Sequence, residues 1–431
     1  MQDTMKGAMQ DTMKGAMQDT MKDTMKDTTK DTMKGAMKDT MKDAMKETIK
    51  DNAKKYLDDV FEIAKYIYEN PELGYEEVKA AEALCQAFKE SGFQVEKGIY
   101  GLPTAFQASM DSGKAGPVAV FFAEYDALPE IGHGCGHNLI CAMALLAAKS
   151  LAPLLSEIGG RIEVYGTPAE ETSGAKVLMA EKGAFDGADF ALMAHPGPVS
   201  EESGSSLTLI PLQFQYFGKA AHAAACPEEG INALDSLIQL YNGINALRQH
   251  LPSDVMIHGY ISNGGTAPNV VPDFAEARFY VRAKRRETAE AAAERIKEVA
   301  RGAALMTGAR LEVSSFEATY YNLITNSALC QAFTENQRSM GDVPRPAAAG
   351  IGSLDLGNVS QRVPAVHGWI GFGDPSLIVH SKEFAERTVT EQGKDLLYRG
   401  ACSIALTAYD VFAKPGLRKA IREEFEATVL K

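Results

Sequence analysis

From about Lys54 onward the chain carries apolar residues at helical and then strand spacing. YLDDVFEIAKYIYENPELGYEE places them on one helical face and stops at Pro71, and EEVKAAEALCQAFKESGF predicts a second helix ending at Gly92. Short strands are expected in TAFQASMDSG and PVAVFFAEYDAL. The latter is almost wholly apolar before its polar end, the pattern of a strand buried on both faces. NLICAMALLAAKSLAPLL predicts an apolar helix, RIEVYGTPAEET a strand running into a loop, and FDGADFALMAHPGP a further strand and loop. Strand and helix in alternation imply an α/β domain, in which chemistry gathers at the carboxyl ends of the strands.

Residues 207–316 change the pattern. Strand LTLIPLQFQYFG, helix INALDSLIQLYNGINALRQHL, strands VMIHGYISNGG and FAEARFYVRA, helix ETAEAAAERIKEVARGAALMTG and strand RLEVSSFEATY follow in turn. That β-α-β-β-α-β order is a ferredoxin-like unit. It interrupts the α/β domain, which is expected over residues 54–206 and again over 317–431.

Residues 1–53 are different again: units such as MQDT, MKGA and MKDT recur, and eleven of the 18 methionines fall there. An apolar residue at every fourth position drifts about 40° per repeat around a helix, so no lasting apolar face forms. The segment is expected to be a low-complexity arm, disordered or marginally helical.

The bulk composition narrows the function. A net charge of −13 over 431 residues argues against nucleic acid or an anionic membrane as partner. Six scattered cysteines do not make a disulfide framework, no apolar run reads as a membrane span, and no signal-peptide core opens the chain. A cytoplasmic protein is expected.

The candidate chemistry begins at IGHGCGHNLI, where two of the 8 histidines flank Cys135. A metal site, a reactive thiol and a chance cluster in a Gly-rich turn all fit that stretch alone. Polar groups at other strand ends narrow the choice: Glu124 and Asp126 in AEYDALPE, Glu170 and Glu171 in TPAEET, His195 in AHPG, and His380 in IVHSKEF. Thiolate, imidazole and carboxylate together suit zinc, manganese or cobalt, whereas magnesium and calcium prefer oxygen shells. A thiol hydrolase with Cys135 as nucleophile and His133 or His137 as base leaves the glutamates and the later histidines unexplained. A non-catalytic protein with a structural metal leaves Glu170 spare, since structural zinc sites are closed.

EYDALPEIGHGCGHN, GTPAEETSGAK, MAHPG, GKAAHAAACPEEGINA, GGTAPNVVPDFAEARFYVRA and VHSKEF together resemble the M20 family of metallopeptidases and amidohydrolases. The resemblance covers residues 54–431 and is nearest the aminoacylase-like branch that includes the p-aminobenzoyl-glutamate hydrolases. It implies a catalytic α/β domain with an inserted lid domain through which two copies dimerise. It implies that Cys135, His137, Glu171, His195 and His380 ligate two divalent ions, manganese or zinc, with cobalt as a further choice. It makes Glu170 the general base and Asp126 the group that orients a ligand. His222 in the lid would stabilise the oxyanion from the partner subunit, and Asn269 and Arg282 would hold the substrate carboxylate. The substrate would be a small N-acyl amino acid, a dipeptide or a p-aminobenzoyl-glutamate-type amide. Asn138 departs from the Asp that most amidohydrolases of this type carry, and Glu124 stands where other branches place a metal-binding His.

Overall fold

Apolar runs bounded by Gly and Pro become the strands of two sheets in the computed structural model, which describes residues 42–347, 350 and 352–429. The first sheet contains β1 (Gln94–Lys97), β2 (Phe106–Asp111), β3 (Val118–Ala123), β4 (Arg161–Gly166), β5 (Phe190–Gly197) and β10 (Ala365–Gly371). The second contains β6 (Thr208–Phe217), β7 (Met256–Asn263), β8 (Phe274–Ala283) and β9 (Arg310–Ser314). Helices α1 (residues 52–69), α2 (Val78–Glu90), α3 (His137–Leu151), α4 (Leu155–Ile158) and α5 (Ala175–Glu181) precede the second sheet. Helices α6 (Ala233–Arg248) and α7 (Arg286–Thr307) belong to it, and α8 (Ser327–Ser339), α9 (Leu356–Ser360), α10 (Lys382–Arg387), α11 (Glu391–Ala413) and α12 (Pro415–Thr428) follow.

The first sheet has the order β1-β2-β4-β3-β5-β10. β4, β3, β5 and β10 run parallel, and β2 is antiparallel to both of its neighbours. Strands buried on both faces need helices on both faces, and β3 and β5, buried along nearly their whole length, lie inside the sheet. α3 supplies one cover, packed on β3 and β5 and against α11. His137–Ile158 is long and apolar enough, by length and composition, to cross a membrane. It is instead a core helix, buried around almost its whole circumference.

The second sheet, β7-β8-β6-β9, is antiparallel throughout. α6 and α7 pack on it around Phe214, Leu237, Phe279 and Ile296. A small apolar joint of Val177, Leu209 and Tyr320 lies where the chain leaves this sheet. There the Tyr320 hydroxyl donates to the carbonyl oxygen of Glu170 at 3.0 Å.

Of the arm, residues 1–41 lie outside the described residues, while 42–51 are helical and Ile49 is fully buried.

Glu77 caps this frame. It is fully buried before α2, where Oε1 accepts from the Ala169 N–H at 2.8 Å and Oε2 from the Thr104 hydroxyl at 3.0 Å. Burial pushes its carboxyl up to about 7.

Two outcomes are expected. Ile49→Ala leaves a cavity and lowers the unfolding free energy by about 2–4 kcal/mol in urea titrations; an unchanged midpoint would contradict its burial. A carboxyl raised by folding stabilises the fold below its unfolded value and loses that contribution as pH rises through the folded one. Glu77 thus erodes stability between about pH 4.5 and 7, and Glu77→Gln flattens that part of the urea-midpoint profile.

Candidate metal centre

The order β4-β3-β5 puts successive crossovers on opposite sides of β3, and a crevice opens where the strand order switches. Glu124 and Asp126 follow β3 directly and are buried. The turn after β4 passes through Ala169 at φ 60° and presents Glu170 and Glu171. Left-handed backbone is costly for a residue with a Cβ, and such positions gather at functional sites. His380 shares it, at φ 66°, and its N–H donates to the Gly134 carbonyl at 2.8 Å. Gly136 at φ 81° cannot be replaced, because a Cβ there would stand 2.5 Å from Pro196 Cγ. That tight passage delivers Cys135 on one side and His137, the first residue of α3, on the other.

The donor atoms converge. Cys135 Sγ lies 3.5 Å from His195 Nε2 and 3.3 Å from His380 Nε2, and His380 Nε2 is 3.3 Å from Glu171 Oε1. His137 Nε2 faces carboxylate oxygens of Glu124 at 3.6 Å, Glu171 at 3.8 Å and Glu170 at 3.9 Å. Ligand atoms of three groups lie within 4.8 Å of one another: Cys135 with His137 and His195, Cys135 with Glu171 and His380, and His137 with Glu170 and Glu171. Cys135 is common to the first two. Asp126 orders the ring: Oδ1 accepts from His137 Nδ1–H at 3.0 Å, while Oδ2 accepts from the Glu171 N–H at 3.0 Å. His195 Nδ1–H donates to the Pro196 carbonyl at 2.7 Å, leaving its Nε2 for the thiol.

The residues fit divalent metal ions. His137 Nε2 and Glu171 Oε1 are buried with no hydrogen-bond partner, a costly state that a cation relieves. Burial lowers His195 well below the ordinary imidazole range, helped by His367 and His137, so it is neutral, as a ligand must be. Burial also opposes charge on His137, but Asp126 and Cys135 outweigh it and raise it well above the ordinary imidazole range. That shift marks a place where positive charge is welcome. Burial raises Glu170 well above the carboxylate range, and Glu124 and Asp355 add to the effect. Burial pushes the Cys135 thiol upward, the reverse of a free nucleophilic cysteine, and His133 turns its Nε2 to the Ile67 carbonyl at 3.1 Å.

A cavity of about 410 Å³ opens onto these groups, walled by Glu201, Gly350, Ser353, Leu354, His367 and Trp369 among others. Of the expected substrate contacts, only Arg282 approaches it: its Nη1 donates to Ser353 Oγ at 3.3 Å. His222 and Asn269 are exposed on the small-sheet loop and do not line this cavity. Asn138 turns away from the centre, donating to Ala64 O at 3.3 Å and Thr388 Oγ1 at 3.1 Å. Sequence reasoning missed Lys176, fully buried against Glu124 and Asp355, and the His367 and Trp369 rings beside His195. The VHGWIG run, with polar rings inside an apolar strand, was the available signal for the latter pair.

The family model for Peptidase family M20/M25/M40 matches residues 119–401. The chain is 37% identical over 383 residues to the Xaa-Arg dipeptidase of Mus musculus, covering 84% of this chain and 88% of that one. It is 35% identical over 287 residues to a p-aminobenzoyl-glutamate hydrolase polypeptide of Escherichia coli, covering 60% of this chain and 59% of the other. Its fold resembles that of a dinuclear metal-binding peptidase of Bacillus subtilis, with a TM-score of 0.59, 20% identity, and coverage of 82% and 99%. The chain belongs to peptidase family M20/M25/M40, whose members here are metal-dependent hydrolases of peptide and amide bonds in small substrates.

Proposed function

We propose that the chain cleaves the amide bond of a small N-acyl amino acid, dipeptide or p-aminobenzoyl-glutamate-type substrate. Two ions, manganese or zinc with cobalt as a substitute, would be held by Cys135, His137, Glu171, His195 and His380. The observation that carries this is the convergence of those donors and Glu170 on one cavity of small-molecule size. Bound ions supply a water of lowered pKa and polarise the scissile carbonyl.

Glu170 is the general base. Its Oε2 faces the cluster, and its raised carboxyl favours keeping a proton taken from water until the leaving nitrogen accepts it. Asp126 holds His137 in the tautomer that leaves Nε2 free for a metal. Arg282, at the cavity rim, suits a substrate carboxylate through its planar fork. A relative's name puts Xaa-Arg dipeptides first in a substrate panel. Glu201 on the wall offers a carboxylate to their guanidinium.

Residues 54–206 with 317–431 form the catalytic domain, and 207–316 form a lid through which the protein is a homodimer. Edge strand β7 exposes Met256, Tyr260 and Ile261, which favours such pairing. His222 and Asn269, outside their own chain's cavity, then serve the partner's site, with His222 as oxyanion donor. Six free cysteines and the acidic charge favour the cytoplasm.

Glu170→Gln is expected to keep its metal while turnover falls at least about 10²-fold. Glu171→Gln loses metal instead. Equal metal loss in both, or an active Glu170→Gln, would overturn these roles. Mixing inactive Glu170→Gln with inactive His222→Ala protein is expected to restore activity, since one site of each mixed dimer is intact. Confirmed subunit exchange without recovery rules out a shared site.

A further inference from the structure

Lys176 opens α5 with a side chain that is fully buried, beneath the Glu170–Glu171 turn in sequence and beside β3 in space. Its Nζ donates to Glu124 Oε1 at 2.5 Å and to Asp355 Oδ1 at 2.7 Å, and its N–H donates to Asp355 Oδ2 at 3.3 Å. Glu124 and Asp355 are as buried as the lysine, at 2% and 0% exposure. Two carboxylates thus share one buried ammonium, and buried polar groups of this kind persist only when they are paired.

The two carboxylates are chemically alike and differ in where they face. Asp355 closes on Lys176 from the residue before α9, and among the described residues no hydrogen bond or ion pair joins it to a metal-centre side chain. Glu124 turns its second oxygen, Oε2, to His137 Nε2 at 3.6 Å. That nitrogen is the buried atom without a hydrogen-bond partner, and Glu124 is nearer to it than Glu171 or Glu170. Metal–ligand bonds of about 2.0–2.2 Å at tetrahedral angles put two ligands of one ion about 3.4 Å apart. An ion bound to His137 Nε2 therefore abuts the Glu124 oxygen.

We propose that Glu124, held by Lys176, is a positioning residue of the metal centre: its free oxygen stands at the metal-facing edge of His137 and sets how tightly an ion is held there. The inference rests on the metal-centre reading given under the proposed function. It makes the buried lysine more than a structural tie. Lys176 holds one Glu124 oxygen and pins the side chain, so that the other oxygen stays aimed at the metal-facing nitrogen of His137.

Asp355 is the internal control. Glu124→Gln and Asp355→Asn each remove one of the two carboxylates on Lys176 and keep the other, so the comparison isolates their position. Metal-free full-length proteins are titrated with Mn²⁺ or Zn²⁺ against a chromogenic chelator, and the melting of the metal-free forms is recorded alongside. Glu124→Gln is expected to weaken binding by at least about tenfold, the scale for a group that supports a ligand. Asp355→Asn stays within about threefold of wild type although its melting falls as far. Equal weakening in both, or none in Glu124→Gln, would overturn the proposal. Should Glu124→Gln not fold, Glu124→Asp takes its place: it keeps the charge and withdraws the carboxylate by one methylene, and unchanged affinity would overturn the proposal equally. A wild-type protein that binds neither ion removes the metal-centre reading itself, an outcome distinct from bound metal without a Glu124 effect.

Discussion

One carboxylate, that of Asp126, sets the geometry on which the centre depends. It stands at the carboxyl end of β3 and accepts from the His137 ring on one side and the Glu171 N–H on the other. A single rigid strand end thereby orients the first residue of α3 and the turn after β4 together. Burial argues against its ionisation, but His137 and the hydrogen bonds to it prevail and keep the carboxyl below the usual range. Remove that charge and both neighbours lose their direction at once.

Around it the electrostatics are unbalanced by design of the fold. Glu124, Glu170, Glu171 and Asp355 join Asp126 in one buried region, and Lys176 is the fully buried ammonium set among them. Isolated buried charges shift their protonation or find a counter-ion. Here Asp126 and Cys135 raise His137 against its own burial, and burial with Glu124 and Asp355 raises Glu170, so the region as folded favours added positive charge.

The polarity of β3 and β5, the apolar α3 and the β-α-β-β-α-β order were all legible in the sequence, because strands buried on both faces and periodic helices leave strong patterns. The cluster was legible for a different reason: Cys135, His137, Glu171, His195 and His380 are residue types seldom placed together at strand ends, and the structure brings their side chains close. β1 left little trace, since its four residues are mostly exposed and no apolar alternation marks them. Lys176 was invisible, because a lysine in the first turn of a helix normally faces water, and only the arrival of Asp355 from a distant loop buries it. His222 illustrates the converse: the sequence motif names it, while one chain alone leaves it in solvent.

The contact between Cys135 and His380 joins residues 245 positions apart. Closing so long a segment carries a loop entropy that grows only with the logarithm of its length, so the finished fold bears it easily. During translation the same separation acts as a delay. A ribosome that has released the Gly-rich turn, both glutamates and His195 must still synthesise the whole small sheet and most of the remaining chain before His380 emerges. A nascent or prematurely ended polypeptide thus lacks His380 and the late wall residues of the cavity, so the pocket closes only near the end of synthesis.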